Sequence, residues 1–153
     1  MVALTGKMAE ADYLRSLGAA EVLDRKAMQF GTRPLESPQW AGALDSVGGE
    51  QLAWLARTMH KDGIIAAFGN AGGAEFKGSV LPYILRGVRL LGVNVNNPVE
   101  RMKFLWNRLA TDLKPRHLDR IARRIRFGDL EQAFDDLLAA RAVGRQVVDF
   151  SLS

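Results

Sequence analysis

The chain has 153 residues, 48% of them hydrophobic, a net charge of +4 and no cysteine. That length holds one domain or one and a fraction, with a real core. The composition excludes a disulfide framework and a thiolate zinc site, two histidines (His60 and His117) are too few and too far apart for a metal-ligand pattern, and no apolar run reaches the roughly 18 residues of a membrane span.

Val2, Ala3 and Leu4 read as the tail of a buried strand, stopped by Thr5, Gly6 and Lys7. No apolar stretch follows a basic start, so no signal peptide is expected and the cysteine-free composition fits the cytoplasm. Residues 8–17 carry Ala9, Tyr13, Leu14 and Leu17 at helical spacing, and Gly18 closes the helix. Residues 21–24 form a short strand. Residues 26–39, with Gly31, Pro34 and Pro38, form a loop.

A strand is predicted over 40–46 and a helix over 49–59, with Leu52, Leu55, Ala56 and Met59 in one stripe. Lys61, Asp62 and Gly63 turn into a strand over 64–68, followed by a glycine-rich loop over 69–73. A helical turn over 80–85 has Pro82 in its first positions. A strand over 88–93 and a helix over 99–113 follow. This strand–helix–strand repetition predicts a parallel sheet covered on both faces. The last part differs: a half-exposed strand over 121–127, a helix over 130–142 capped by Asp129 and ended by Gly144, and a final strand over 145–150. Arg116, Arg120, Arg123, Arg124 and Arg126 crowd one stretch beside an acidic helix. Without interleaved aromatic residues they read as a solvated face rather than a nucleic-acid surface.

Two apolar strands end in glycine clusters, at Gly48-Gly49 and at Gly69-Asn70-Ala71-Gly72-Gly73. The carboxyl edge of a parallel sheet is where nucleotides bind in open α/β folds. Bare backbone at Gly48 and Gly49 lets a ligand approach closely, or is a plain strand-to-helix turn. Residues 69–73 either reach a flat ring through backbone groups or form a mobile surface loop. After the second strand of a dinucleotide fold, an acid favours NAD, and a small hydroxyl followed by a cation suits a 2′-phosphate. Thr5 and Lys7 match the second case; a simple turn with a surface lysine is the alternative. Asp45 is read as holding backbone amides of the next loop, and otherwise as a general acid or ligand. No catalytic triad or carboxylate pair can be assembled.

The run Tyr13-Leu14-Arg15-Ser16-Leu17-Gly18-Ala19, followed by Glu21-Val22-Leu23, resembles the segment after the second strand in medium-chain dehydrogenases/reductases. Arg33-Pro34-Leu35, the run from Trp40 to Gly48, and Leu81-Pro82-Tyr83-Ile84-Leu85-Arg86-Gly87-Val88 narrow the resemblance. They are similar to the zinc-independent, NADPH-dependent acryloyl-CoA reductase and quinone-oxidoreductase-like branch. The resemblance covers essentially the whole chain. It implies that Thr5, Gly6 and Lys7 meet the 2′-phosphate and adenosine ribose, with Arg25 helping to hold the phosphate. Relatives often have Ser-Gly-Arg there, so Lys7 is a departure from a bidentate contact. It further implies that Gly69, Asn70 and Ala71 approach the nicotinamide, that Leu90 and Val93 pack near it, and that Arg145 lies near the cofactor cleft. A homodimer through the 88–93 edge strand, a small-molecule substrate, and no nucleic-acid or membrane partner are implied as well.

The family's chain begins with a GroES-like domain and a glycine-rich turn, and neither is recognisable here. The fold class expected is therefore α/β: an incomplete Rossmann-type doubly wound parallel sheet from its second strand onward, over residues 1–115. A strand–helix–strand piece over 116–153 would rejoin the GroES-like domain. In the order 3-2-1-4-5-6 the missing strand is central. The second and fourth strands then face a gap of about two strand spacings, near 9–10 Å. The chain is expected to close that gap, to borrow a strand, or to be part of a longer product, and not to catalyse by itself.

Overall fold

The apolar stretches form short parallel ladders in the computed structural model, which describes residues 1–152. The chain divides after Asn97 into two units. In the first, β1 (Val2–Thr5) pairs in parallel with β2 (Glu21–Asp24), placing Thr5 opposite Asp24. Between them a 3-10 turn, Met8–Glu10, leads into α1 (Ala11–Ser16). Gly18 takes φ 106° and its N–H bonds to the Arg15 carbonyl, so the predicted helix stop is real.

The second sheet runs β3 (Trp40–Asp45), β4 (Met59–Ala67) and β5 (Arg89–Gly92), all parallel. α2 (Gly49–Thr58) links β3 to β4, and α3 (Leu81–Arg86) precedes β5. The neighbours β2-β1 and the run β3-β4-β5 match stretches of the doubly wound strand order. β1 has not moved over to pair with β3: among the described residues the two sheets share no ladder. They share a core instead, because Leu4 of β1 packs on the cluster built by α2, Met59, Ile65 and Val88.

That core explains most of the local structure. α2 buries nearly every side chain from Leu52 onward, with Trp54 against Phe30 at 5.3 Å and edge-on to Trp40 at 6.1 Å between ring centroids. The helix stops at Thr58, whose hydroxyl donates to the Trp54 and Leu55 carbonyls. Met59 therefore begins β4 rather than ending the helix, and His60 is an exposed strand residue. The register slips between Trp40 and Gly42, and Asp62 takes φ 60° there.

Register places Ala43, Ile65 and Leu90 on one face of the second sheet and Leu44, Ala66 and Leu91 on the other. Ile65 is fully buried, whereas Leu44 is 76% and Leu91 50% exposed. The expectation of a sheet covered on both faces is thus corrected: α2 and α3 fill one face, and the other carries open apolar side chains. The loop over 26–39 is clasped to the first face. Arg57 and Glu36 pair at 3.1 Å with side chains only 10% and 15% exposed, and Arg57 also donates to the Gly31 carbonyl. Arg86 donates to the carbonyls of Arg57, Met59 and Glu36. It ties the end of α3 to the end of α2 and to that loop.

In the second unit, α4 (Val99–Ala110) precedes a short α5 (Leu118–Ile121). β6 (Ala122–Ile125) then pairs in parallel with β7 (Arg145–Val148), joined through α6 (Leu130–Leu138). The predicted strand over 121–127 is shorter because β7 offers four partners only; Ile121 ends α5 and Phe127 opens a 3-10 turn. α6 ends early too. The Arg141 N–H bonds to the Asp136 carbonyl and its guanidinium to the Asp136 carboxylate, so Gly144 serves the turn into β7 instead. In the basic stretch, Arg124 pairs with Asp149 at 2.8 Å and Arg126 with Asp129 at 3.0 Å. The bond from Arg126 holds the Asp129 carboxyl below its ordinary range. Among the described residues no helix is long and apolar enough to cross a membrane.

The two faces of the second sheet are expected to respond differently to truncation. Ile65→Ala should lower the unfolding free energy by about 2–5 kcal/mol, and Leu44→Ala by less than about 0.5 kcal/mol, in urea denaturation followed by circular dichroism. Equal losses would mean that the Leu44 face is covered in solution.

Candidate functional site

The carboxyl ends of β3 and β4 are held by backbone meeting backbone. Asp45, fully buried at the end of β3, accepts hydrogen bonds from the N–H groups of Gly48 (2.9 Å) and Val47 (3.4 Å) and from the Gln51 amide (3.3 Å). Its carboxylate is thus committed to shaping the turn into α2, as the strand-end reading expects. The second glycine cluster lies against that turn and continues the β3–β4 pairing beyond the strands. Phe68 N–H bonds to the Asp45 carbonyl at 2.9 Å, Ala71 N–H to Ser46 at 3.3 Å, and Gly72 N–H to Val47 at 2.7 Å. Gly48 and Gly73 form a bridge.

These contacts leave no room for side chains. A Cβ at Gly69 would stand 2.6 Å from the Ser46 carbonyl oxygen, and one at Gly48 would strike the Gly73 carbonyl. Gly48 also takes φ 69°, which other residues avoid. Residues 69–73 are therefore a seated turn rather than a slack loop. Part of the glycine signal in the sequence records this contact and not a ligand.

The chain diverges where β4 and β5 end. Val93 N–H still bonds to the Ala67 carbonyl at 2.8 Å, after which the strands part. An open cleft of about 530 Å³ lies there, lined by Ala67, Phe68, Gly69, Asn70, Gly92, Val93 and Asn94. No titratable side chain lines it. The cleft can bind and orient a flat group but holds no proton donor or nucleophile of its own. Of the residues expected at the nicotinamide, Gly69, Asn70 and Val93 come together here. Ala71 is engaged with Ser46, and Leu90 packs on the core.

A second group gathers at the ends of β1 and β2. Thr5 and Arg25 meet because the Arg25 N–H bonds to the Thr5 carbonyl at 2.8 Å, and the Thr5 hydroxyl accepts the Lys7 N–H at 3.1 Å. The Arg25 guanidinium lies over Gly6, where a Cβ would stand 3.1 Å from Nη2. Asp24, the nearest acid in sequence, has its carboxylate on the Lys26 N–H at 2.8 Å. Arg25 makes no ion pair among the described residues, unlike Arg57, Arg124 and Arg126. Thr5, Gly6, Lys7 and Arg25 thus form a cationic corner with backbone accessible at Gly6, and this fits a phosphate group.

Arg145 belongs to the second unit, where it opens β7 and borders an apolar groove of about 210 Å³ between α6 and the strands. Tyr83, half-buried against the core, has its phenol pushed up by burial. Sequence reasoning missed Asn94 as a cleft residue. Its position directly after the strand and Val93 was the available signal.

No family model matches the chain. It is 42% identical over 151 residues to a Bacillus subtilis protein named as a quinone oxidoreductase, YhfP, covering 97% of this chain and 46% of that protein. It is 40% identical over 151 residues to the acrylyl-CoA reductase AcuI of Ruegeria pomeroyi, with the same coverage. The crystal structure of YhfP with bound NAD superposes with a TM-score of 0.90 at 40% identity, over 97% of this chain and 46% of that one. The Escherichia coli YhdH structure with bound NADPH does so with a TM-score of 0.87 at 39% identity, over 96% and 46%. The chain therefore spans about half the length of the relatives it matches, and it shares their Rossmann-like α/β fold.

Substitution at the glycines should separate contact from conformation. Gly69→Ala is expected to cost about 1–3 kcal/mol by overpacking. Gly92→Ala, in the same cleft with nothing within 4 Å of its new Cβ, should stay within about 0.5 kcal/mol of the parent. Thermal denaturation of both variants distinguishes them, and equal stability would remove the backbone contact as the reason for Gly69.

Proposed function

We propose, for a chain that belongs to the medium-chain dehydrogenase/reductase superfamily, that it is the cofactor-holding part of an NADPH-dependent oxidoreductase. The reaction is reduction of an activated carbon–carbon double bond of the acryloyl-CoA type, or of a quinone, by zinc-independent chemistry in the cytoplasm. The observation that carries the cofactor choice is the unpaired Arg25 guanidinium over Gly6, beside Thr5 and Lys7. A 2′-phosphate placed there meets the fork of donors on Arg25, which makes no ion pair among the described residues. The cleft at the ends of β4 and β5 supports the other half of the reading. When bound, the reduced nicotinamide supplies the hydride. Gly69, Asn70 and Val93, which line the cleft, are the residues assigned to orienting it. A cleft lined without acid or base suits chemistry that the cofactor brings.

In this reading residues 1–115 are the cofactor-binding part and 116–153 rejoin a GroES-like domain. The relatives' names support oxidoreduction of a small molecule. A homodimer through β5 is part of the same reading. Among the described residues β5 pairs on one side only, and Leu91 on it, Val93 just after it and Ile84 on α3 are exposed apolar side chains.

Isothermal titration tests the cofactor assignment. The chain should bind NADPH and 2′,5′-ADP in preference to NADH. Arg25→Ala should lower the NADPH affinity about 10–100-fold, the worth of one or two charge-assisted hydrogen bonds, while leaving the weak NADH binding in place. No heat at millimolar NADPH, or an Arg25→Ala loss that is equal for NADH, would overturn it.

A further inference from the structure

The cleft between the ends of β4 and β5 contains one side-chain donor whose orientation is fixed by its neighbours. Asn94 Oδ1 accepts the Asn96 N–H at 2.9 Å, and the Asn94 carbonyl accepts the Asn97 side-chain amide at 2.7 Å. A backbone N–H can only donate, so the oxygen of the Asn94 amide must face Asn96 and its nitrogen is turned away from that bond. Nδ2 has no partner among the described residues. On the same wall, the Val93 N–H is committed to the Ala67 carbonyl. Asn94 lines the cleft opposite Phe68, Gly69 and Asn70, where no charged group competes for a ligand.

We infer that Asn94 is a positioning and specificity residue: its Nδ2 donates to a conjugated carbonyl oxygen held in this cleft. Two groups offer that oxygen, the carboxamide of a nicotinamide and the carbonyl of a substrate whose double bond is conjugated to it. In the second case the bond gains value as hydride reaches the far carbon, because the electron pair of the double bond shifts and negative charge grows on that oxygen. The inference rests on the cofactor reading above, and it adds a residue that reading does not require. It also explains why an amide suits this position. Aspartate would keep the bond to Asn96 but face the carbonyl with a second acceptor.

The test uses the full chain labelled with nitrogen-15 and follows the Asn94 side-chain amide resonances. They should shift on adding NADPH if the carboxamide is the partner. They should shift only when a short enoyl thioester, S-crotonyl-N-acetylcysteamine, is added to the NADPH complex if the substrate carbonyl is. They should not move with 2′,5′-ADP, which has no carbonyl. Asn94→Asp should weaken the responding ligand by about tenfold or more, with 2′,5′-ADP affinity unchanged. The inference is overturned if NADPH moves the Gly69 and Asn70 backbone resonances while the Asn94 amide stays still under every ligand, or if Asn94→Asp binds as the parent does. If NADPH moves no resonance in the chain, the cofactor reading falls with it.

Discussion

The arrangement at the sheet's carboxyl edge depends on two turns whose backbones touch. Seating the 69–73 turn against the turn after β3 requires three successive hydrogen bonds, from Phe68, Ala71 and Gly72 to Asp45, Ser46 and Val47. It also requires glycine where carbonyls come too close for a Cβ, at Gly48 and Gly69. Asp45 sets the first turn by holding its amides, and the second turn takes its shape from the first. The wall of the cleft formed by Gly69 and Asn70 is a consequence. A buried carboxylate with three donors is costly to leave unsatisfied, so this edge is well determined even though much of it is exposed.

The larger architecture is less self-sufficient. α2 is enclosed because the core beneath it draws on both sheets, with Leu4 from the first and Ile65 from the second. The sheets themselves do not pair, and Leu44 and Leu91 remain open on the second sheet's other face. Full burial of a leucine is worth about 1.5–3 kcal/mol, and these two forgo the larger part and about half of it respectively. The enclosed side of α2 and the clasp made by Arg57 and Arg86 carry the compensation. Two arginines reach five carbonyls or carboxylates across the loop over 26–39. That clasp gives the end of the Leu-Pro-Tyr-Ile-Leu-Arg segment a structural duty separate from any ligand.

Much of this was legible in the residues. Apolar runs next to glycine placed β1, β3, β4 and β5, because buried parallel strands need continuous apolar side chains. Gly18 marked a helix end that only a positive φ completes. The family resemblance grouped Arg25 with Thr5, Gly6 and Lys7, and the pairing of β1 with β2 brings those strand ends together. The partners of Arg86 could not be read, since they are backbone carbonyls 27 to 50 residues away and a carbonyl has no residue-type signature. The glycine clusters were visible but ambiguous, because a glycine required by a neighbouring backbone looks the same as one required by a ligand. Ile121 and Phe127 alternated like strand residues, yet a four-residue partner allowed only four of the positions to pair.

Amide hydrogen exchange at Gly72 tests the contact between the two turns most directly. Gly72 lies on an exposed surface, so an unattached loop would exchange at the rate of a free peptide. A seated turn predicts a Gly72 amide slowed by roughly a hundredfold or more through its 2.7 Å bond to Val47, with the Gly73 region protected alongside it. Exchange of Gly72 at the free-peptide rate, while β4 stays protected, would contradict the account.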